Sequence, residues 1–159
     1  MRGVSVERSV QGAYAIGSLG NVLIAAFDQV PNPDSVEDTA SVGRKVLVRH
    51  ARGGYLHFAN ASVAQPPPDD RTRRAYVAMM REFGPRLDAA SVIVDGAGVT
   101  AAVIRSVITG LVLIGRPSFP VKVFDSTADA CAWLAHAMVW DQPTSSAELA
   151  DALAMLRAY

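Results

Sequence analysis

The sequence predicts an α/β fold: a single domain on a mostly parallel mixed sheet of about five strands, entered by an antiparallel hairpin and covered by roughly four to five helices. Three observations carry this expectation. Short apolar runs alternate with longer segments of helical period, the pattern of strand–helix–strand crossovers. Half of the 159 residues are apolar and 19% are charged, enough to build a core and too apolar for a disordered chain. The first two apolar runs are separated only by Leu19-Gly20-Asn21, too short for a crossover and suited to a hairpin.

The elements follow in order. Ala13–Ser18 (AYAIGS) and Val22–Asp28 (VLIAAFD) form the hairpin. Pro31-Asn32-Pro33-Asp34 stops the second strand; Pro33 suits a first helical turn, where the helix dipole favours the acidic Asp34, Glu37 and Asp38. Val36, Ala40, Gly43 and Leu47 recur on one face, so an amphipathic helix covers 34–51, and Gly53-Gly54 ends it. Tyr55–Ala61 is the next strand, and Gln65-Pro66-Pro67-Pro68 is a rigid loop that cannot continue a ladder. Asp69 or Asp70 caps a helix over 70–83, whose apolar stripe is Tyr76, Met79, Met80 and Phe83. Gly84-Pro85 closes it, and Ser91–Asp95 reads as a strand buried on both faces.

Residues 92–115, VIVDGAGVTAAVIRSVITGLVLIG, admit three readings. A membrane span needs about 20 predominantly apolar residues and tolerates a central arginine poorly; Val99–Ile114 is shorter and contains Arg105. A dinucleotide loop would continue Gly96-Ala97-Gly98 with a third glycine, and Val99-Thr100-Ala101-Ala102 follows instead. What remains is a tight turn, capped by Thr100, into a mostly buried helix. Its thin wet edge is expected to hold Ala101, Ala102, Arg105, Ser106 and Thr109, opposite Val103, Ile104, Val107, Leu111 and Ile114.

Gly115-Arg116-Pro117 ends that helix, and Val121–Phe124 (VKVF) is a fifth strand. Asp125-Ser126-Thr127 supplies capping oxygens for ADACAWLAHAM, in which Cys131, Leu134 and Met138 share a face. A final helix opens with Ser145 and Glu148, spaced for reciprocal capping, and Leu149, Leu153 and Leu156 form its seam. The main α/β domain is thus expected over 13–138, with a linker and C-terminal amphipathic helix over 139–159.

With this order in hand, VKVFDSTADACAWL (121–134), preceded by the apolar helix and the Arg116-Pro117 turn, resembles the end of a STAS-like domain, the family named for sulfate transporters and anti-sigma factor antagonists. The resemblance covers roughly 13–138 in topology and rests mainly on the final third of the sequence. It implies a regulatory or scaffold module of bacterial signalling that acts by binding. Phospho-switched members carry an Asp-Ser-Ser/Thr-Gly turn after the strand that follows the first helix. Here that segment is Asn60-Ala61-Ser62-Val63-Ala64-Gln65-Pro66, an atypical branch, and neither Ser62 nor Thr72 inherits a phosphorylation role.

Composition limits the remaining chemistry. Fifteen basic residues balance fifteen acidic ones, so no overall field draws nucleic acid. Cys131 is the only cysteine, which excludes an internal disulfide, and its place on an apolar helix face reads as core. Met1–Gln11 lacks the apolar core of a secretory signal, so a cytoplasmic setting is expected. His50, His57 and His136 lack metal-ligand spacing. Asp28, Asp95 and Asp125 end predicted strands and would form an acidic crevice only if they converged. Lys45, Arg49, Arg52, Arg71, Arg73 and Arg74 read as solvated helix faces rather than an anion platform.

Two binding features stand out. Ile108, Val112 and Leu113 exceed what one domain needs to bury; they are expected to meet the last helix or to form a homodimer or protein-partner surface. Tyr76, Met79, Met80 and Phe83, with the helix at 99–114, would line a pocket for a small apolar ligand or lipid. The function expected is non-enzymatic regulation through protein contact, with no cofactor, nucleic acid or membrane span. Ligand binding is the alternative, and an enzyme with an acidic site near Asp95 ranks third.

Overall fold

The computed structural model describes residues 3–159. A single six-stranded sheet runs in the order of the sequence. β1 (Ser5–Val10), β2 (Tyr14–Leu19) and β3 (Val22–Phe27) form an antiparallel meander, and β4 (Gly53–Asn60), β5 (Leu87–Asp95) and β6 (Val121–Phe124) extend it in parallel from β3. The parallel strands are joined through α1 (Pro33–Arg49), α2 (Asp70–Phe83) and α3 (Val99–Gly115). Right-handed crossovers that advance in one direction must lie on one face of the sheet. α4 (Thr127–Ala137) and α5 (Ser146–Arg157) return over the other.

Alternation along each strand divides the core accordingly. On β3, Ile24 and Ala26 pack toward α4 and α5, whereas Leu23, Ala25 and Phe27 pack toward α1 and α2. On β4, Leu56 and Phe58 take the first side and Tyr55 the second. Such two-sided burial explains why the parallel strands read as near-continuous apolar runs.

The strand β1 is the element that sequence periodicity did not reveal. Its residues SVERSV place Glu7 and Arg8 in mid-strand, which suits an edge, where charge discourages pairing with another chain. Those charges face basic and acidic partners on α1: Glu7 lies 3.4 Å from Lys45, and Arg8 lies 3.1 Å from Asp38. Met1 and Arg2 of the Met1–Gln11 segment lie outside the described residues.

Caps account for most boundaries. Asn32 and Ser35 form a reciprocal capping box that starts α1 before Asp34, with Pro33 in the first turn. Asp69 accepts from the Thr72 backbone at 2.8 Å to start α2. Ser126 caps α4, and Ser145 with Glu148 forms the expected box on α5. Gly53-Gly54 belongs to β4 rather than to a helix stop. A Cβ at Gly54 would sit 2.1 Å from the Met138 sulfur, so glycine here admits the end of α4 onto the sheet.

The last helix does not meet Ile108, Val112 and Leu113 as expected. It packs on α4 and on β2 and β3, on the opposite face of the sheet from α3. Leu149, Leu153 and Leu156 are fully buried there with Cys131 and Leu134, and the Arg157 guanidinium lies 4.0 Å from the centre of the buried Phe58 ring. Residues 146–157 therefore complete the core. Leu153→Ala is expected to cost about 2–5 kcal/mol in urea unfolding, against about 0.5 kcal/mol or less for Met155→Ala on the exposed side. Equal costs would contradict this placement.

Candidate functional site

The site begins with how poorly α3 is seated. Only Ala101 and Gly115 are buried along its length, while Val99, Leu113 and Ile114 are 81%, 72% and 65% exposed. The expected wet edge holds in part: Ala102, Ser106 and Thr109 are exposed, but Ala101 is inside, and Val103 and Ile114 look outward. The cause is what lies underneath. The edge strand β6 has four residues and pairs only with Ala90–Ile93 of β5, so much of the 17-residue helix has no strand below it. Thr100 provides no cap; α3 starts after Gly98, whose side-chain cap is absent and whose φ is 84°. Gly96, at φ 140°, lies where a Cβ would come within 2.8 Å of the Ala61 backbone, so the turn's geometry accounts for both glycines.

Between α3, α2, α1 and the sheet lies a cavity of about 140 Å³. The helix α2 contributes Tyr76, Met79, Met80 and Phe83, all four of the residues that the stripe on 70–83 singled out. Ile104, Ile108, Leu111 and Val112 close it from α3, and Leu23, Phe27, Tyr55, His57 and Val92 form its floor. Ile108 and Val112 therefore turn inward and Leu113 outward, so the three do not make one partner surface. The lining contains no Asp, Glu, Lys or Arg.

Its polar groups are few and deeply placed. The Tyr55 hydroxyl and His57 Nδ1 are 2.6 Å apart. His57 stacks on Phe27 at 5.1 Å between centroids and meets Tyr76 edge-on at 6.1 Å. Burial pushes the His57 pKa down to about 4 and holds the Tyr55 and Tyr76 phenols above their ordinary value, so all three are neutral near pH 7. The Tyr76 hydroxyl is buried and has no hydrogen-bond partner among the described residues.

The mouth lies at the carboxyl ends of β3 and β4, where loops of an α/β sheet usually hold ligands. Gln29, Val30, Pro31, Asn60 and Gln65 line it. The Gln65 side chain bridges the two loops, accepting from the Val30 backbone and donating to the Asp28 carbonyl at 3.0 Å. Pro66 and Pro68 stiffen the loop beside it.

The other sequence candidates lie elsewhere. Cys131 is buried in the α4–α5 core, and desolvation raises its thiol pKa to about 11, the setting of an inert cysteine. His50 pairs with Asp141 next to the end of α1, and His136 is exposed on α4. Asp28, Asp95 and Asp125 are exposed, and among the described residues no three His, Cys, Asp or Glu side chains gather as a metal site. Lys45, Arg52 and Arg73 have acidic neighbours in Glu7, Asp88 and Asp70. Ser62 hydrogen-bonds Asn60, while Thr72 is buried with its hydroxyl on Asp69. Among the described residues no helix is long and apolar enough to cross a membrane.

Comparison with family models, with curated proteins and with solved structures found no match. The cavity floor is the part that sequence reasoning missed. Tyr55 and His57 sit two apart on one strand face, a spacing that brings side chains together on the same side of a sheet.

The buried imidazole has a pH signature. Its folded pKa is below the unfolded value, so the unfolded chain binds the extra proton and stability falls as pH drops from about 6.5 toward about 4. The loss at the low end is on the order of 3 kcal/mol. His57→Phe is expected to flatten that part of the stability–pH curve, as measured by urea unfolding. An unchanged slope would show that His57 is solvated.

Proposed function

We propose that this chain is a non-enzymatic regulatory module that takes a small, mainly apolar guest into the cavity beneath α3. One observation carries the reading: a cavity of about 140 Å³, walled by flexible methionines and aromatic rings and free of charged side chains. Sites for small molecules are concave and mostly apolar, with a few placed polar groups. Methionine adapts its shape to a guest at little cost. The STAS-like ending at 121–134 supports a regulatory role in the same reading, with binding rather than turnover as the output.

A second reading has its own support. Outward-facing Val99, Val103 and Ile114 border a shallow groove against Pro67 and Arg73, an apolar surface of the kind that meets a protein partner or a second copy. The two readings are compatible, because α3 carries the cavity wall on one side and this groove on the other.

Native mass spectrometry of freshly purified protein tests the first reading, expecting an apolar compound retained at one per chain. Ile108→Trp fills the cavity and is expected to remove the retained mass while leaving the melting temperature equal or higher. Retention unaffected by this substitution would place the guest elsewhere. For the groove, Ile114→Asp is expected to change stability by about 0.5 kcal/mol or less and to abolish self-association in sedimentation. A monomer in both forms leaves a heterologous partner as the only version of that reading.

A further inference from the structure

The cavity is drawn out rather than round. Its lining takes in both Gly53 and Asn60, the two ends of β4, which lie about 23 Å apart along an extended strand. Its side walls run for about 10–12 Å, from Tyr76 to Phe83 on α2 and from Ile104 to Val112 on α3. These lengths share one direction, because a crossover helix runs back along the strands it connects. At the inner end buried Leu47, Phe83 and Phe119 shut the space. At the outer end is the mouth, beside Gln29, Asn60 and Gln65.

Volume sets the size of a guest, and shape sets its form. A dry cavity of roughly 150 Å³ holds one six-carbon ring, and this one has about 140 Å³. The same volume stretched along two helices is narrower than a ring needs. An unbranched chain of about six to eight carbons uses it and leaves less void. Met79 and Met80, unbranched and with three rotatable bonds each, adjust to such a chain along its length.

The mouth fixes the polar end. Gln29, Asn60 and Gln65 bring neutral amides to it, and no lysine or arginine lines the cavity. The charge beside the mouth is the exposed Asp28 carboxylate, which accepts from Asn60 Nδ2 at 3.3 Å. A carboxylate head would meet that like charge with no counter-ion in the lining. A hydroxyl head, both donor and acceptor, suits the amides and keeps its contact with water.

We propose that the cavity takes a neutral, unbranched aliphatic alcohol of about six to eight carbons. Its tail runs inward along Met79, Met80, Ile104 and Ile108, and its hydroxyl stays at the mouth. This inference rests on the reading of the cavity as a guest site.

The test titrates the full chain at pH 7 with straight-chain alcohols from butanol to decanol, with cyclohexylethanol and with octanoate, following amide shifts by NMR. Affinity is expected to rise about fourfold with each added methylene and to level off near octanol, where the cavity is full. Cyclohexylethanol, which has octanol's carbon count and hydroxyl in ring form, is expected to show no saturable binding, and neither is octanoate. The shifts should concentrate at Ala59, Ile104 and Ile108. All of these readings come from the wild type, and Ile108→Trp is expected in addition to abolish octanol binding. Cyclohexylethanol bound as tightly as octanol, or affinity indifferent to chain length, would overturn the chain assignment, and tight octanoate binding would overturn the neutral end; each leaves a guest site in place. Failure of every compound to bind, shifts confined to the outer face of α3, or octanol binding that persists in folded Ile108→Trp would instead overturn the guest site itself.

Discussion

The short edge strand β6 is the constraint from which the site follows. A 17-residue helix is about 25 Å long, whereas a four-residue strand runs about 13 Å, so α3 overhangs the sheet that should support it. The strand β5 is long enough, at nine residues, but β6 covers only Ala90–Ile93 along it. Packing α3 tightly would require it to tilt into the sheet or to shorten. It instead spans from α2 to β5, with Ala101 buried beside Val92 and Val94 and with Ile104 and Ile108 packed against them. Gly115 shows how near it comes to α2: a Cβ there would lie 2.7 Å from the Met80 methyl. The space left between these contacts is the cavity.

The opposite face shows what full support looks like. α4 and α5 lie over β2–β5 with Cys131, Leu134, Leu149, Leu153 and Leu156 closed to solvent, and the Ser91 hydroxyl donates to the Ala130 carbonyl at 3.1 Å. Interiors of this density carry most of a domain's stability. A fold that secures itself on one face can leave the other incompletely filled. Elements that open for a ligand come from the less stable part of a structure, and α3 has the fewest buried residues of the long helices.

The fold was legible wherever periodicity and punctuation agreed. The Asp70–Phe83 helix and the Val121–Phe124 strand have the boundaries that their flanking residues predict, because Asp69, Gly84 and Asp125-Ser126-Thr127 are local signals. The Tyr76–Phe83 stripe pointed to the cavity because an apolar helix face must meet something apolar. Sequence could not reveal that the partner helix would be held off. The periodic pattern of α3 gives a direction of burial, but the extent of burial depends on how much of the helix lies over β5 and the four residues of β6, which that pattern does not encode. β1 was hidden by Glu7 and Arg8, which mark an edge only once α1 is seen to present Lys45 and Asp38. Tyr55 and His57 looked like ordinary strand residues until the depth of the floor made their shared face polar and dry.

Xenon offers the most direct examination of the gap under α3, because it enters dry apolar space and needs no chemical recognition. A crystal of the protein exposed to pressurised xenon is predicted to show a single strong density peak among Phe27, Tyr76, Met80 and Ile108, with the native position of α3 preserved. Ordered waters filling that volume, or a helix settled onto β5 with no space for the gas, would contradict the account.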